Sequence, residues 1–477
     1  MDTQCNKTQL EFQGIGRRKV QADFEGGHLT SDGGVLLLRE IDDRLGITKK
    51  LAQCFTDYRD SEAIDHSVKE LLRQRIYGIV LGYEDLNDHN RLLRDVLFAI
   101  ALGKKDAEGK KRRRKSDKGK ALASASTLNR VELTSKNANS DERYKKVKHD
   151  ERQIEALLPT LFLDSYAQAP AEVILDFDAT DDPLHGDQEG RFFHGYYDCY
   201  CYLPLYVTCD DHLLVSQLRE SNQDASAGSV EVLEMLTRRI RERWPHTRII
   251  IRADSGFCRD AIMTWCESNQ VYYLLGLAKN QRLLDRIISQ QFCAHARHLM
   301  TGAPARVFTD FYYCTKDSWA VERRVIAKAE HLRHGANPRF IVTNLPVEYA
   351  TPQALYEDVY CARGEMENRI KEQQLDLFSD RTSSHTMRAN QLRLWFSSFA
   401  YALVSAIRRL GLNNTRMAKA TCGTIRLKLL KIAARVKVSV RRFAVHFASA
   451  CPCKDVFIHA LQSIQALPNT QAHPLRL

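Results

Sequence analysis

Two aspartates inside an apolar strand pattern constrain the fold of this chain more than any other feature. The stretch EVILDFDATDDPLHGDQ, residues 172–188, carries four aspartates within seven positions directly after an apolar run. Because successive side chains of a strand alternate between faces, Asp176 and Asp178 lie on one face and Leu175 and Phe177 on the other. Two carboxylates on one face of a strand end indicate a cation site.

Two other interpretations of this stretch were weighed. The TDDP part, Thr180 to Pro183, is also typical of a polar turn whose aspartates accept hydrogen bonds from backbone amides. An EF-hand loop is excluded, since Asp181 stands where that loop needs glycine and a strand rather than a helix leads into it.

The order of elements after Glu172 predicts an RNase H-like mixed α/β sheet flanked by helices. Three strand patterns come first and read as an antiparallel meander. The helix pattern SVEVLEMLTRRIRERW, the strand pattern TRIIIRA, the helix pattern CRDAIMTWCESN and the strand pattern VYYLLGLAK follow. In IIIRADSGF, Asp254 stands at the carboxyl end of its strand, where open α/β sheets place their ligands, although a lone aspartate there is also a common helix cap.

A third acidic candidate lies on a predicted helix, in YCARGEMENRI. At about 100° per residue, Tyr360, Arg363, Glu367 and Lys371 share one narrow face. Taken alone, this face is better explained by solvent-exposed i,i+4 ion pairs.

These motifs resemble the DDE transposases of bacterial insertion sequences, in particular the group with a Tyr-x2-Arg-x3-Glu-x6-Lys signature. YCARGEME matches the first three signature positions, DAT resembles the family's Asp-x-Thr, and RADSGF resembles its second aspartate. The likeness of SDGGVLLLRE and LDFDATDDPLHG to one subgroup extends the resemblance over the full chain. The chain departs from the signature at its lysine, because that position is Gln374 and Lys371 lies one turn earlier.

The resemblance implies an RNase H-like catalytic domain with a β-rich insertion before the glutamate helix. It assigns Asp178, Asp254 and Glu367 as a catalytic triad that holds two Mg²⁺ ions, with Mn²⁺ as a substitute, and Asp176 as a further ligand. It also places Tyr360 and Arg363 against the DNA backbone, with Lys371 as the nearest equivalent of the signature lysine.

The remaining sequence predicts surfaces for an anionic partner. The net charge is +11, and the 74 residues from Arg381 to Lys454 contain no aspartate or glutamate. The basic residues predicted to contact phosphates there are Arg408, Arg409, Arg426, Lys428, Lys431, Arg435, Arg441 and Arg442. Trp319 is a candidate for stacking on an unpaired base, with a place in the core as the alternative.

The patterns predict the following division of the chain. Residues 1–102 form a mostly helical domain that binds the DNA ends, 103–126 a mobile basic linker or arm, 127–171 a connection, 172–279 the first part of the catalytic core, 280–350 the β-rich insertion, 351–410 the second part with the glutamate helix, and 411–477 a basic DNA-binding region.

The predicted protein is therefore a transposase that binds terminal inverted repeats in double-stranded DNA, cuts there and joins the ends to target DNA as a dimer. An RNase H-like nuclease without strand transfer and a catalytically inactive DNA-binding derivative are the alternatives. The N-terminus has no secretory pattern, and no apolar run is long enough for a membrane span, so the expected location is the cytoplasm, at the bacterial nucleoid.

Overall fold

The computed structural model describes residues 9–468, which divide into two compact units. The first unit takes the described residues up to Val131, Asn137–Lys148 and those from Ala406 onward. The second takes Glu132–Lys136 and His149–Ser405. All three predicted catalytic carboxylates lie in the second unit.

The N-terminal part of the first unit is a group of helices with short strands. Its strands are β1 (Leu10–Ile15), β2 (Arg18–Ala22), β3 (His28–Thr30), β4 (Phe55–Asp57) and β5 (Val147–His149), and its helices are α1 (Val35–Leu45), α2 (Ile47–Gln53), α3 (Val68–Leu81), α4 (Asp88–Leu92), α5 (Val96–Ala101) and α6 (Ala125–Glu132). Helix α3 begins at a capping box made by Ser67 and Glu70 and ends at Gly82 in the left-handed conformation. The helical character predicted for this region is confirmed.

The basic segment 103–126 has a folded path rather than the free arm that its composition predicts. Gln74 of α3 donates a hydrogen bond to the carbonyl of Ala123 at 2.7 Å and accepts one from its N–H at 2.9 Å. Alanines at 107, 121 and 123 are buried, whereas most of the lysines and arginines between 110 and 118 are exposed. A few small apolar residues therefore anchor a segment whose charged side chains stay in solvent.

A mixed sheet dominates the second unit. Its strands, among the described residues, are β6 (Glu172–Ala179), β10 (Leu205–Cys209), β11 (His212–Gln217), β12 (Arg248–Ala253), β13 (Tyr272–Leu277), β14 (Ala305–Tyr313), β15 (Arg323–Leu332), β16 (Gly335–Ala336) and β17 (Arg339–Thr343). The order is β11-β10-β6-β12-β13-β17-β15-β14, with β16 beside β15. The first three strands are antiparallel, and β12 and β13 run parallel to β6. This is the predicted RNase H-like arrangement.

Helices cover both faces of this sheet. They are α7 (Glu151–Asp164), α8 (Ser229–Arg243), α9 (Asp260–Ser268), α10 (Gln281–Asp285), α11 (Ile288–Thr301), α12 (Pro352–Ala354), α13 (Gly364–Lys371) and α14 (Met387–Ala406). Helices α12 and α13 belong to one continuous helical segment, residues 352–376, which includes π-helical turns at Leu355–Tyr360 and Glu372–Asp376 and a 3₁₀ turn at Cys361–Arg363. We call this segment the Glu367 helix.

The two sheet faces carry separate apolar cores. Leu175 and Phe177 of β6 pack into the larger core with α8 and α9. Ile250 and Leu274 of β12 and β13 face the other way and pack against Leu355 of the Glu367 helix. The aspartates of β6 alternate with its apolar residues, so they point to the face that the Glu367 helix covers.

The segment between β13 and the Glu367 helix is β-rich, as predicted, but its strands continue the main sheet. Strand β17 pairs antiparallel with β13, and β15 and β14 follow. The sequence patterns did not predict α10 and α11. Helix α11 leaves Ile288 and Phe292 exposed at 63% and 74%, and apolar residues on its outer face obscure the helical period.

The C-terminal part of the first unit pairs with its N-terminal part. After a π-helical turn at Ile407–Gly411 come α15 (Cys422–Ile425), a second such turn at Arg426–Leu430, β18 (Ala434–Val438), β19 (Phe443–Phe447) and α16 (Lys454–Gln465). Strand β18 pairs with both β19 and β3. A Cβ on Gly34 would lie 2.0 Å from the Leu429 carbonyl oxygen, so this approach requires glycine. Across residues 9–468 no helix is long and apolar enough to cross a membrane.

A small sheet follows β6, and a 3₁₀ turn follows β12. Strands β7 (Asp182–Pro183), β8 (Phe192–His194) and β9 (Cys199–Tyr202) form a small antiparallel sheet in the order β7-β9-β8. The 3₁₀ turn Ser255–Phe257 follows β12.

Candidate active site

Asp178 and Asp254 lie at the same edge of the sheet. Strand β12 runs parallel to β6 with Ala253 opposite Phe177, so the residues that follow, Asp254 and Asp178, are neighbours. Asp254 accepts a hydrogen bond from the N–H of Gly256 at 2.8 Å and caps the 3₁₀ turn. The parallel register brings together two carboxylates that are 76 positions apart in the sequence.

The Glu367 helix adds an arginine and a third carboxylate to this edge. Arg363 Nη1 lies 3.4 Å from Asp178 Oδ2, and its Nη2 lies 2.9 Å from Glu367 Oε1. The guanidinium therefore bridges two of the predicted catalytic carboxylates. The Asp178 side chain is 14% exposed and that of Glu367 47% exposed, so the site is open to solvent on the Glu367 side.

Burial and like charge both act on Asp178. Burial raises the pKa of Asp178 to about 7, Arg363 opposes the rise, and the charges of Asp254 and Glu367 add to it. One guanidinium thus does not compensate for the negative charge collected here. Such an excess of buried carboxylate is typical of sites that bind or release a cation.

Asp176 has a different environment from the one that the sequence predicts. Its two oxygens accept hydrogen bonds from Arg252 Nε at 2.5 Å and Nη2 at 2.7 Å, and the residue is 4% exposed. Arg252 also donates to the carbonyl of Val359 in the Glu367 helix. Burial raises the pKa of Asp176, while Arg252 lowers it. The Arg252–Asp176 pair therefore links β6 and β12 to the Glu367 helix, and a metal-binding role for Asp176 stays a prediction.

Tyr360 packs beneath Asp254. A Cβ placed on Gly276 of β13 would lie 2.6 Å from the Tyr360 hydroxyl and 2.9 Å from the Ser255 nitrogen. The tyrosine is half-buried beside the Asp254 turn, and its contact with a DNA backbone stays a prediction.

We expect Gly276→Ala to displace Tyr360 and to cost about 1–3 kcal/mol of unfolding free energy, because the methyl group overlaps backbone as well as side chain. Urea denaturation measures the cost. Removing the hydroxyl with Tyr360→Phe should recover part of it in the double variant. An alanine at 276 with wild-type stability would contradict the close approach.

The position of the signature lysine is occupied by an amide. Gln374 donates a hydrogen bond from Nε2 to the carbonyl of Asp181 at 3.0 Å, next to the strand that carries Asp178. Lys371 is exposed one turn earlier. Gln374 fixes the chain leaving β6, and a phosphate-contacting role for Lys371 stays a prediction.

The basic residues predicted to bind DNA separate into two groups. Lys428, Arg435, Arg441 and Arg442 are exposed. Arg426 donates to the carbonyl of Val80 at 2.6 Å, Lys431 lies 2.7 Å from Asp32, and Arg408 is 7% exposed. Arg409 is half-buried. The second group stabilises the first unit, so the exposed group remains the candidate for phosphate contacts.

Trp319 belongs to the core, which corrects its candidacy as a base-stacking residue. It is 8% exposed, and its ring lies edge-on to Tyr313 with 5.8 Å between the ring centroids. The guanidinium carbon of Arg323 lies over the indole ring, 5.6 Å from its centroid. No ring face is open to a base.

Three residues near the site were missed by sequence reasoning. Arg252 interrupts an apolar strand two positions before Asp254, and Gly276 lies inside a strand, where glycine marks a close backbone approach. Burial raises the pKa of Tyr197 to about 12, and the charges of Asp181 and Asp178 add to the rise. The sequence signal for Tyr197 was the aromatic run FFHGYYDCY.

The three carboxylates are chemically suited to bind a divalent cation. Asp178, Asp254 and Glu367 offer carboxylate oxygens, the ligands that Mg²⁺ prefers. As the side chains stand, no three His, Cys, Asp or Glu residues within 9–468 converge closely enough to hold an ion. Arg363 occupies the position between Asp178 and Glu367 and supplies the positive charge there.

Comparison with known proteins assigns this chain to a protein family. The model of the family described as "Transposase DDE domain group 1" matches residues 12–469. No curated protein sequence matches the chain. A cryo-EM structure of the piggyBac transposase synaptic complex with hairpin DNA is similar with a TM-score of 0.39 and 9% identity, over 93% of this chain and 84% of that one. That level of similarity establishes no shared function. The family match spans nearly the whole chain, and this chain therefore belongs to the DDE transposases of group 1.

Proposed function

We propose that the protein binds the terminal inverted repeats of its insertion sequence, cuts the DNA at the element ends and joins them to target DNA. The observation that carries the proposal is the common position of Asp178, Asp254 and Glu367 at one sheet edge, where burial raises the pKa of Asp178 and the charges of the other two carboxylates add to the rise. Membership of the DDE transposases supports the same reaction class.

In this proposal the three carboxylates hold two Mg²⁺ or Mn²⁺ ions. Bound ions would activate the attacking water or 3′-hydroxyl and stabilise the leaving oxygen. Arg363 would leave its bridge between Asp178 and Glu367 and fork onto phosphate oxygens as the backbone arrives. Tyr360 and Arg252 act indirectly, since they hold the Asp254 turn and the Glu367 helix in place.

Binding of the divalent ion should weaken below about pH 7. The folded pKa of Asp178 is raised to about 7, so its carboxyl is protonated below that value and a proton competes with the metal. We expect apparent Mg²⁺ affinity to fall about tenfold for each pH unit below 7 and to level off above it. Isothermal titration calorimetry in buffers of different ionisation enthalpy would count the released proton. Affinity unchanged between pH 5.5 and 8 would contradict the raised pKa.

The exposed basic residues of β18 and its turn are proposed to contact phosphates. Arg435 and Lys437 point outward while Val436 between them is buried. We expect Arg435→Ala with Lys437→Ala to reduce the slope of log affinity against log salt by about 2, since each phosphate contact contributes about 0.9. Fluorescence anisotropy with duplex DNA measures the slope.

The control for that measurement removes two other exposed charges of the first unit, with Lys49→Ala and Lys145→Ala. This pair has the same net charge change. An equal loss of slope in both double variants would show that only the overall charge matters, and would remove β18 as a phosphate-binding strand.

The test of the proposed function uses a DNA fragment that carries the gene with both flanks, together with a supercoiled target plasmid. Purified full-length protein is incubated with Mg²⁺ or Mn²⁺, and cut ends and joined products are mapped by sequencing. Glu367→Gln is compared with Glu365→Gln, a more exposed glutamate on the same helix whose side chain contacts Arg369.

Cuts at both flanks, joined products and their loss only in Glu367→Gln are the expected result. Cuts without joining would indicate a nuclease. DNA binding without cleavage in either metal would indicate an inactive derivative, and cleavage that survives Glu367→Gln would place the active site elsewhere.

A further inference from the structure

A hairpin that follows Asp178 in the chain exposes several large aromatic side chains to solvent. Strand β7 begins three residues after the end of β6, and β9 leads through Leu203 and Pro204 into β10. Tyr206 of β10 lies opposite Asp178. The small sheet is therefore attached to β6, which carries Asp178, and to β10, the strand that pairs with β6. We call residues 192–202 the aromatic hairpin.

Three rings of the aromatic hairpin point outward. Tyr196 in the turn is 85% exposed, and the cross-strand pair Phe193 and Tyr200 is 53% and 47% exposed. Phe193 and Tyr200 lie edge to face with 5.6 Å between ring centroids. Folded proteins rarely leave several large rings together in solvent, and such patches mark binding sites.

The base of the hairpin is held rigidly. The Tyr202 hydroxyl donates to the carbonyl of Glu189 at 2.5 Å, and Ser221 donates to the carbonyl of Phe192 at 2.9 Å. Arg191 lies 4.7 Å from the centre of the Tyr200 ring. The exposed rings are thus presented by a fixed scaffold, with a guanidinium stacked at one side.

The chemistry of this surface fits nucleobases. Aromatic rings and arginine planes are the groups on which unpaired bases stack. The small sheet leaves β6 just beyond Asp178, and it returns to the main sheet at Leu205 of β10, which lies opposite Ala179. A strand whose phosphate lies at the carboxylates would therefore place its neighbouring bases within reach of the rings.

We propose that the aromatic hairpin binds unpaired bases of the DNA strand next to the scissile phosphate, with Tyr196, Phe193 and Tyr200 as the stacking residues. The proposal deepens the proposed function and rests on it for the identity of the strand. It differs from the sequence-based expectation for Trp319, which lies in the core.

The test separates bases from phosphates. Two fluorescein-labelled 20-nucleotide probes are used, oligo(dT) and an oligomer of abasic sites with the same phosphates, and their binding to full-length protein is measured in EDTA, where no cleavage occurs. We expect wild-type protein to prefer oligo(dT) by at least about tenfold, because stacking contributes to one probe only. The preference should fall to about one in the Phe193→Ala, Tyr196→Ala, Tyr200→Ala triple variant.

Two further variants control for unfolding and for the loss of an exposed aromatic ring elsewhere. Tyr196→Ala alone, at a residue that is 85% exposed, should lose part of the preference without unfolding the protein. Phe292→Ala on α11, exposed at 74%, is the matched control and should keep all of it. A wild-type preference near one, or a preference that survives the triple variant, would overturn the proposal.

Failure of this inference and failure of the proposed function are distinguishable, since the binding test requires no catalysis. If the protein cuts and joins DNA but binds oligo(dT) and the abasic probe equally well, only the stacking role of the aromatic hairpin is rejected. A preference that depends on the hairpin, in a protein that cuts no DNA, would reject the catalytic proposal alone.

Discussion

Asp178→Asn is expected to reduce DNA cleavage by at least about 1000-fold while leaving DNA affinity within about twofold. The substitution removes one of the three carboxylates at the sheet edge, and it keeps the size of the side chain and its place opposite Tyr206. Duplex affinity should persist because the exposed basic residues of the first unit are untouched. Cleavage of the flanked gene fragment and anisotropy with the same DNA measure the two quantities.

The same variant should be more stable than wild type at pH 8 without metal. The folded pKa of Asp178 is raised to about 7, so the ionised carboxylate destabilises the folded state increasingly from about pH 4 to pH 7 and constantly above. Removing that charge should add roughly 1–3 kcal/mol at pH 8 and less at pH 5. Thermal melting at both pH values shows whether the gain has this direction.

Asp187→Asn is the matched control, since its side chain is 94% exposed and pairs with Arg191 at the surface. It should change neither cleavage nor melting. Asp178→Asn protein that cuts at the wild-type rate would remove Asp178 from the reaction. A variant that is less stable than wild type at pH 8 would show that the contact with Arg363 outweighs the repulsion.

The sheet order could be predicted because it depends on local periodicity, whereas the triad of carboxylates was assigned by family resemblance. Alternation in LDFD fixes the face of Asp176 and Asp178, and the order of strand and helix patterns fixes the neighbours of β6. The place of Asp254 beside Asp178 depends on the register of β12 against β6, and the place of Glu367 depends on the packing of its helix.

Side-chain partners could not be predicted in the same way. Whether Asp176 faces a metal ion or Arg252 depends on the register between β6 and β12, which the sequence alone does not specify. The bridge made by Arg363 also depends on a rotamer choice between solvent and Asp178. Helix α11 was missed for a third reason, since its exposed face is apolar.

The pair of Arg252 and Asp176 leads to the largest expected effect on stability. Arg252→Ala should cost about 3–5 kcal/mol, because it leaves a 4% exposed carboxylate without its partner. Arg252 also donates to the Val359 carbonyl, so the variant should loosen the Glu367 helix. Urea unfolding followed by circular dichroism measures the cost.

The same two strands offer a matched control. Arg248 of β12 lies opposite Glu172 of β6, as Arg252 lies opposite Asp176, but the Arg248 side chain is 46% exposed. Arg248→Ala should cost roughly 1 kcal/mol, since solvent screens an exposed pair. Equal costs for the two alanine variants would show that burial does not strengthen the inner pair.

The effects of charge and of packing can be separated for the pair of Arg252 and Asp176. The double variant Arg252→Met with Asp176→Asn removes both charges and keeps most of the side-chain volume, so it should recover most of the lost stability.

The stability loss of Arg252→Ala should depend on pH with a definite sign. Burial already raises the pKa of Asp176, and losing Arg252 raises it further, so Arg252→Ala loses stability as pH rises. The gap between wild type and Arg252→Ala should therefore be larger at pH 8 than at pH 5. A gap that does not change with pH would mean that the loss comes from packing and not from an unpaired carboxylate.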